Sequence, residues 1–232
     1  MSGLADCIFP PFCLVCEKGL EERDHLVCGR CWSGFEIIDR PVCEVCGAPL
    51  PKGERRCPAC RGKGFSFSGV RAAYSYSADI RKIIHAFKFG RKISLAKRLG
   101  RILAFVLLQD ERFRQAECMV AVPLHVSRQR ERGYNQSELL AQAVCAELGM
   151  KLVKDALVRR KRTKPQTALA PRRRTRNVEK AFRVTDASGI VDRKVVLVDD
   201  VFTTGATVDA CAKALRRAGA VDVVVLTVTR AT

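Results

Sequence analysis

From Val70 onward, apolar residues switch repeatedly between the two-residue period of a strand and the 3.6-residue period of a helix. Val70 to Tyr76 alternates and predicts a strand. Ile80 to Phe89 predicts a short helix ending in Lys88-Phe89-Gly90, and Ala96 to Leu108 a second, strongly apolar one. Met119 to Pro123 reads as a buried strand, and Leu124 to Arg132 as a polar, basic loop. Ser137 to Leu148 is an amphipathic helix, capped by Ser137 and stopped by Gly149. Val195 to Val198 is a further strand. Val208, Cys211, Ala212, Leu215 and Ala218 then repeat at helical spacing, with Lys213, Arg216 and Arg217 on the other face. Gly219 ends that helix and Val221 to Val228 begins another strand. Strands alternating with helices predict an α/β fold built on a parallel sheet, whose ligands sit beyond the C-terminal strand ends.

Before Val70 this patterning fails, because few large apolar residues separate the cysteines. The chain therefore divides into residues 1–66 and 67–232, with the glycine-containing, basic segment Cys60 to Ser68 as a hinge. Eight cysteines form four Cys-x-x-Cys pairs, Cys13/Cys16, Cys28/Cys31, Cys43/Cys46 and Cys57/Cys60, with eleven, eleven and ten residues between them. Each pair points two thiolates at one tetrahedral ion, so two structural zinc sites are expected, closed to substrate by four sulfur ligands each. Sequential ligation is the preferred arrangement, with Cys13, Cys16, Cys28 and Cys31 on one ion and the other four on the second; spacing alone does not exclude an interleaved cross-brace. Of the remaining four thiols, Cys7 stands outside the pattern and Cys118, Cys145 and Cys211 lie in apolar surroundings; all read as core residues.

The densest chemistry follows the strand at Val195. Asp199 and Asp200 would repel a bare phosphate, so they suit ribose hydroxyls or a divalent cation. Thr203, Thr204 and Thr207 offer hydroxyl donors, and Gly205 can turn backbone N–H groups inward through positive φ. The helix starting near Ala206 presents unsatisfied N–H groups to an anion. Together these residues are laid out for a phosphorylated ribose. The loop after Pro123 carries Leu124, His125, Arg128, Arg130 and Arg132, a second anion site suited to pyrophosphate.

The formal charge of +18 lies entirely in residues 67–232, because residues 1–66 hold nine basic and nine acidic side chains. Arg159, Arg160, Lys161, Arg162, Lys164, Arg172, Arg173, Arg174 and Arg176 form a block without an acid. Such a block attracts polyanions, nucleic acid above all. The opening residues lack the pattern of a signal peptide, and the longest apolar runs are too short to span a bilayer. A cytoplasmic setting without membrane insertion is expected.

The stretch Val195 to Thr207 closely resembles the 5-phosphoribosyl-1-pyrophosphate (PRPP) motif of type I phosphoribosyltransferases. Pro123-Leu124 with Arg132-Gly133-Tyr134-Asn135-Gln136-Ser137 resembles the hallmark of the ComF family of competence-associated proteins. So do Arg162 to Thr167 with Leu169, Arg172, Asn177 and Phe182, the short Lys88-Phe89-Gly90 motif, and the cysteine ladder. The likeness covers nearly the whole chain and departs only slightly, with Tyr134 where Phe is expected and Phe202 at a variable position. It implies a type I phosphoribosyltransferase-like sheet behind a double zinc ribbon. It also implies that Asp199 and Asp200 hold the ribose hydroxyls, that residues 203–207 wrap the 5-phosphate, and that magnesium accompanies the pyrophosphate. DNA uptake beside a helicase-like partner, with single-stranded DNA binding, follows from the same resemblance.

Two readings of activity stand side by side. In one, the protein transfers phosphoribosyl to an acceptor, with Asp199, Asp200 and Arg132 as catalytic residues and Lys88 and Arg128 beside Arg132 on the leaving group. In the other, a non-catalytic nucleic-acid-binding or regulatory protein keeps the pocket. The neutral ribbons additionally suit docking to a protein partner.

Overall fold

The computed structural model describes residues 11–20, 26–160 and 181–231. Cys7, His25 and the basic block from Lys161 to Arg176 lie outside them. Among the described residues the helices are α1 (Gly29–Ser33), α2 (Ala78–Phe89), α3 (Leu95–Leu108), α4 (Glu111–Arg114), α5 (Val126–Arg132), α6 (Gln136–Leu148) and α7 (Ala206–Arg217). The strands are β1 (Gly69–Ser75), β2 (Cys118–Ala121), β3 (Lys151–Leu152), β4 (Leu157–Arg159), β5 (Phe182–Val184), β6 (Lys194–Phe202) and β7 (Asp222–Arg230).

Five strands form one sheet in the order β1-β7-β6-β2-β3, every neighbouring pair parallel. The hydrophobic alternation of β6 and β7 builds a core on each face. Val196, Val198, Leu226 and Val228 meet Leu99, Leu103 and Leu140 of α3 and α6. Val195, Leu197, Val223 and Val225 meet Val208, Cys211 and Leu215 of α7. Each fully buried aliphatic side chain contributes roughly 1.5–3 kcal/mol. Cys118, Cys145 and Cys211 are buried in this core as the pattern predicts, and burial pushes each thiol up, Cys145 to about 11.

The connections place the ligand crevice. The chain leaves β2 for β3 on one side and leaves β6 for β7 on the other, with α6 and α7 on opposite faces. The direction of winding therefore reverses between β2 and β6. Such a switch point opens a cleft at the C-terminal strand ends, where the two outgoing loops diverge.

Two elements differ from expectation. Residues 126–132 form a helix rather than a loop, because both ends are satisfied locally. His125 accepts the Ser127 N–H on its Nδ1 at 3.2 Å, and Gly133 closes the last turn at φ 84°. The segment between the two halves is no free hinge. Ser66 N–H donates to Asp209 Oδ1 at 2.6 Å, Ser68 N–H to the Val223 carbonyl at 2.9 Å, and Phe65 stacks on Phe67 at 4.8 Å.

The cysteine-rich half docks on the open edge of the sheet. Ile38 N–H donates to the Ala73 carbonyl at 2.8 Å, and Ile37 bridges Tyr74 of the edge strand β1. Covering an edge in this way removes a template for unwanted pairing. Asp110 is buried beneath the seam, paired with Arg40 at 2.7 Å and Arg112 at 3.2 Å. No described helix is long and apolar enough to cross a membrane.

Candidate functional site

The acid pair sits inside β6, which runs two residues past Asp200 before the loop begins. Alternation along the strand sends the two carboxylates different ways. Asp199 is half-buried; its Oδ1 accepts the Ser137 hydroxyl at 2.9 Å and the Asp200 N–H at 2.9 Å. Asp200 is buried, with Lys88 Nζ 2.7 Å from its Oδ2. Lys88 is the penultimate residue of α2, so this contact draws in a helix some 110 residues away in the chain.

Ser137 was expected to cap α6. The cap is Asn135, whose Oδ1 accepts the Ser137 N–H at 3.1 Å while its Nδ2 donates to the Val122 carbonyl at 3.1 Å. That exchange frees the Ser137 hydroxyl for Asp199. The Tyr134 hydroxyl donates to the Phe87 carbonyl, and Arg132 donates to Gln136 Oε1. The Arg-Gly-Tyr-Asn-Gln-Ser run thus ties the end of α2, the end of β2 and the acid pair together. Asparagine is a strong N-cap, a signal present in the sequence. No sequence pattern marks the Ser137–Asp199 or Lys88–Asp200 contacts.

Burial, with Asp200 alongside, pushes the Asp199 carboxyl up to about 7. A carboxyl raised in the folded state holds its proton while the unfolded chain loses it. Its stabilising contribution is therefore full below the ordinary carboxylate range and is lost as pH rises to about 7. Without magnesium or ligand, the wild-type denaturation midpoint should fall between pH 5 and 7 relative to that of Asp199→Asn. Parallel pH profiles for the two proteins would refute the assignment.

The loop behaves as its composition suggests. Thr203 and Thr204 are exposed, Thr207 is half-buried, and Gly205 caps α7 at φ 81°. A Cβ on Gly205 would lie 3.1 Å from the Phe202 ring and 3.5 Å from Phe65. Phe202 also meets Phe67 edge-on at 6.4 Å. Sequence reasoning missed this aromatic backing from the connector, since it requires residues some 140 positions apart to meet.

Across the cleft, Leu124 and His125 are half-buried and Arg128 is exposed. His125 Nδ1 is engaged with Ser127, and His125 bridges Arg159 of β4 in parallel fashion. Arg159 lies over Phe182 at 5.4 Å, and burial and Arg128 hold its guanidinium below the usual range while Asp199 opposes them. Arg159, assigned from sequence to the nucleic-acid block, therefore stands at the rim of this cleft. Arg160 follows it, its N–H on the Ala181 carbonyl at 2.7 Å.

The thiols group sequentially, Cys13, Cys16, Cys28 and Cys31 in one set and Cys43, Cys46, Cys57 and Cys60 in the other, each set's sulfurs within 4.8 Å of one another. This removes the cross-braced alternative. Sulfurs 2.3 Å from a tetrahedral ion stand roughly 3.8 Å apart. Cys16 and Cys28 are 3.9 Å apart and Cys46 and Cys57 3.6 Å, so both sets fit zinc. Backbone N–H groups of Cys28 and Cys57 donate to Cys13 Sγ at 3.3 Å and Cys43 Sγ at 3.4 Å. Burial works against those two thiolates, but such N–H bonds outweigh it and pull Cys13 to about 6 and Cys43 to about 7.

A cysteine-bound double ribbon on a parallel sheet with this rim defines a two-part protein of the phosphoribosyltransferase fold class. Residues 4–61 match the double zinc ribbon domain and residues 134–231 the phosphoribosyl transferase domain. DNA utilization protein YhgH of Escherichia coli K12 is 32% identical over 217 residues, 92% of this chain and 94% of that protein. Competence protein F of Haemophilus influenzae is 30% identical over 94% of this chain and 96% of its own. Competence protein ComFC of Streptococcus pneumoniae is 28% identical over 88% and 87%. The chain belongs to the ComF family.

Proposed function

We propose that this protein binds PRPP with magnesium at the rim formed by Asp199 to Thr207 and acts on single-stranded DNA during DNA uptake. The carrying observation is the acid pair placed one loop before positive-φ Gly205 and the N-terminus of the 12-residue helix α7, at the sheet's switch point. On this reading Asp199 and Asp200 take the ribose hydroxyls, and the N–H groups of residues 203–207 take the 5-phosphate. Lys88, Leu124, His125, Arg128 and Arg132 line the pyrophosphate side. Magnesium would accompany the pyrophosphate on the side lined by Lys88, Arg128 and Arg132 and would supply charge neutralisation to the leaving group.

Binding exchanges one partner of Lys88 for another. Its ammonium leaves Asp200 for the pyrophosphate, and the carboxylate turns to the sugar. In transfer, the C1–oxygen bond to pyrophosphate breaks with its electron pair going to the leaving oxygen, and an acceptor nucleophile bonds to C1. Arg132 and Lys88 stabilise the departing charge while the acid pair faces the cationic sugar. The relatives named for competence and for DNA utilization support the cellular role, as does the surplus of basic residues. A helicase-like protein is the partner implied by the resemblance, in the cytoplasm.

Calorimetric titration with magnesium and PRPP tests the site. Wild type should release heat with a single site per chain, and Asp199→Ala/Asp200→Ala should release none while retaining its metal content and a single cooperative unfolding transition. Undiminished heat in the double variant would exclude the acid pair.

A further inference from the structure

We infer that the ring of Phe89 is a stacking platform for an unpaired base of a single-stranded nucleic acid, set beside the acid pair. The inference rests on the strand-binding part of the reading above and gives it a location. Phe89 is 64% exposed, a large apolar side chain left open at the end of an amphipathic helix whose other large apolar residues, Ile80, Ile83, Ile84 and Phe87, are buried. It directly follows Lys88, whose ammonium touches Asp200, and it lies within reach of the same cleft through Arg132. The Arg132 guanidinium lies over the ring at 5.0 Å, and the His85 ring stands 4.9 Å away at a tilt of 48°.

Three planar groups thus gather at one corner of the sugar phosphate site. The surface is held firmly. The Tyr134 hydroxyl bonds the Phe87 carbonyl, so the end of α2 keeps its distance from the loop that carries Ser137 and Asn135. Gly90 closes α2 directly after the ring, its N–H on the Ala86 carbonyl at 2.9 Å, and a Cβ there would lie 2.9 Å from that same oxygen. The residues that follow, Arg91 and Lys92, are exposed, as is Arg128 across the cleft.

Arg132 lies over the ring, yet the side chain keeps most of its surface in water, so a partner that removes this apolar area gains free energy. Here the cover must tolerate a ring of cations, which argues for the base of a phosphate-bearing strand rather than an apolar peptide. Arg91, Lys92 and Arg128 would meet the backbone phosphates while the base lies on Phe89 or against the Arg132 plane. A strand seated there brings one nucleotide to the mouth of the phosphoribosyl site.

The discriminating probe is a thymidine oligomer of about 20 nucleotides, compared with an abasic oligomer of equal length and equal phosphate charge. At one fixed salt concentration, wild type should bind the thymidine strand roughly tenfold more tightly. Phe89→Ala should erase that difference by weakening the thymidine strand alone. Phe89→Trp should keep the difference and show indole quenching with the thymidine strand only. Equal affinity of wild type for both strands overturns the stacking platform and leaves electrostatic strand binding intact. So does a preference that survives Phe89→Ala. Absence of binding to either strand overturns the platform together with the nucleic-acid part of the proposed function.

Discussion

Replacing Cys43 and Cys46 together with serine should remove one of two bound metal ions, unfold residues around the second site, and weaken PRPP binding at a distance. Zinc supplies on the order of 10 kcal/mol to such a site, more than a small cysteine-rich unit can recover from its own core. The site is also joined to the loop at residues 203–205, the proposed phosphate cradle, by two routes. Arg230 Nε donates to the Cys46 carbonyl at 3.0 Å and its Nη2 approaches Cys46 Sγ at 3.4 Å, while its backbone pairs with Phe202 in the sheet. From the other end of the site, the chain after Cys60 leads to Phe65 and Phe67 behind Phe202 and Gly205, and to Ser66 on Asp209 in the first turn of α7.

The first site has no such link among the described residues. It meets α2, α3 and the edge strand instead: Lys82 Nζ donates to the Val15 carbonyl at 2.8 Å, Arg98 lies over the Trp32 ring at 5.5 Å, and Phe35 meets Tyr74 at 5.7 Å. Serine at Cys13 and Cys16 should therefore also lose one metal but leave PRPP affinity closer to wild type. Metal analysis, hydrogen exchange over residues 41–68 and PRPP titration check all three parts. Wild-type PRPP affinity with the second site empty would break the proposed connection.

Valine at Gly205 should abolish detectable PRPP binding while leaving both metals in place. The position demands φ 81°, where a β-branched residue is strained, and its side chain would press into the rings of Phe202 and Phe65. Strain plus overpacking is worth about 2–4 kcal/mol. The loop can relieve it only by turning its N–H groups away from the phosphate or by shifting the start of α7. Alanine should show a smaller loss, because it meets the same φ with less bulk. Titration of the three proteins gives the order glycine, alanine, valine; an unaffected valine variant would mean that the loop N–H groups do not hold the ligand.

Much of this protein is legible without coordinates. The four Cys-x-x-Cys pairs announce two metal sites, and the run from Val195 to Thr207 announces a strand, an acid pair, a glycine turn and a helix. Each of these signals is short-range: ligand spacing, side-chain period and the chemistry of neighbouring residues survive in any window of about a dozen residues. The helix at 126–132 escaped because its stability lies in its two caps rather than in an apolar stripe. Ser137 looked like a cap because serine commonly is one; Asn135, two residues earlier, took that role and released the hydroxyl for Asp199.

Local spacing alone determined which cysteines can hold metal, the alternation that makes an α/β sheet, and the run of acid pair, threonines and glycine on which the proposed sugar phosphate site rests. Folding decided who stands beside them: Lys88 on Asp200, Ser137 on Asp199, Phe65 and Arg230 behind the loop that holds Gly205, and Phe89 open at the corner. The physical reason is that a buried charge or ring takes its environment from elements brought close by the order of strands, and that order depends on how helices cover both faces of the sheet. No stretch of chain carries that information by itself.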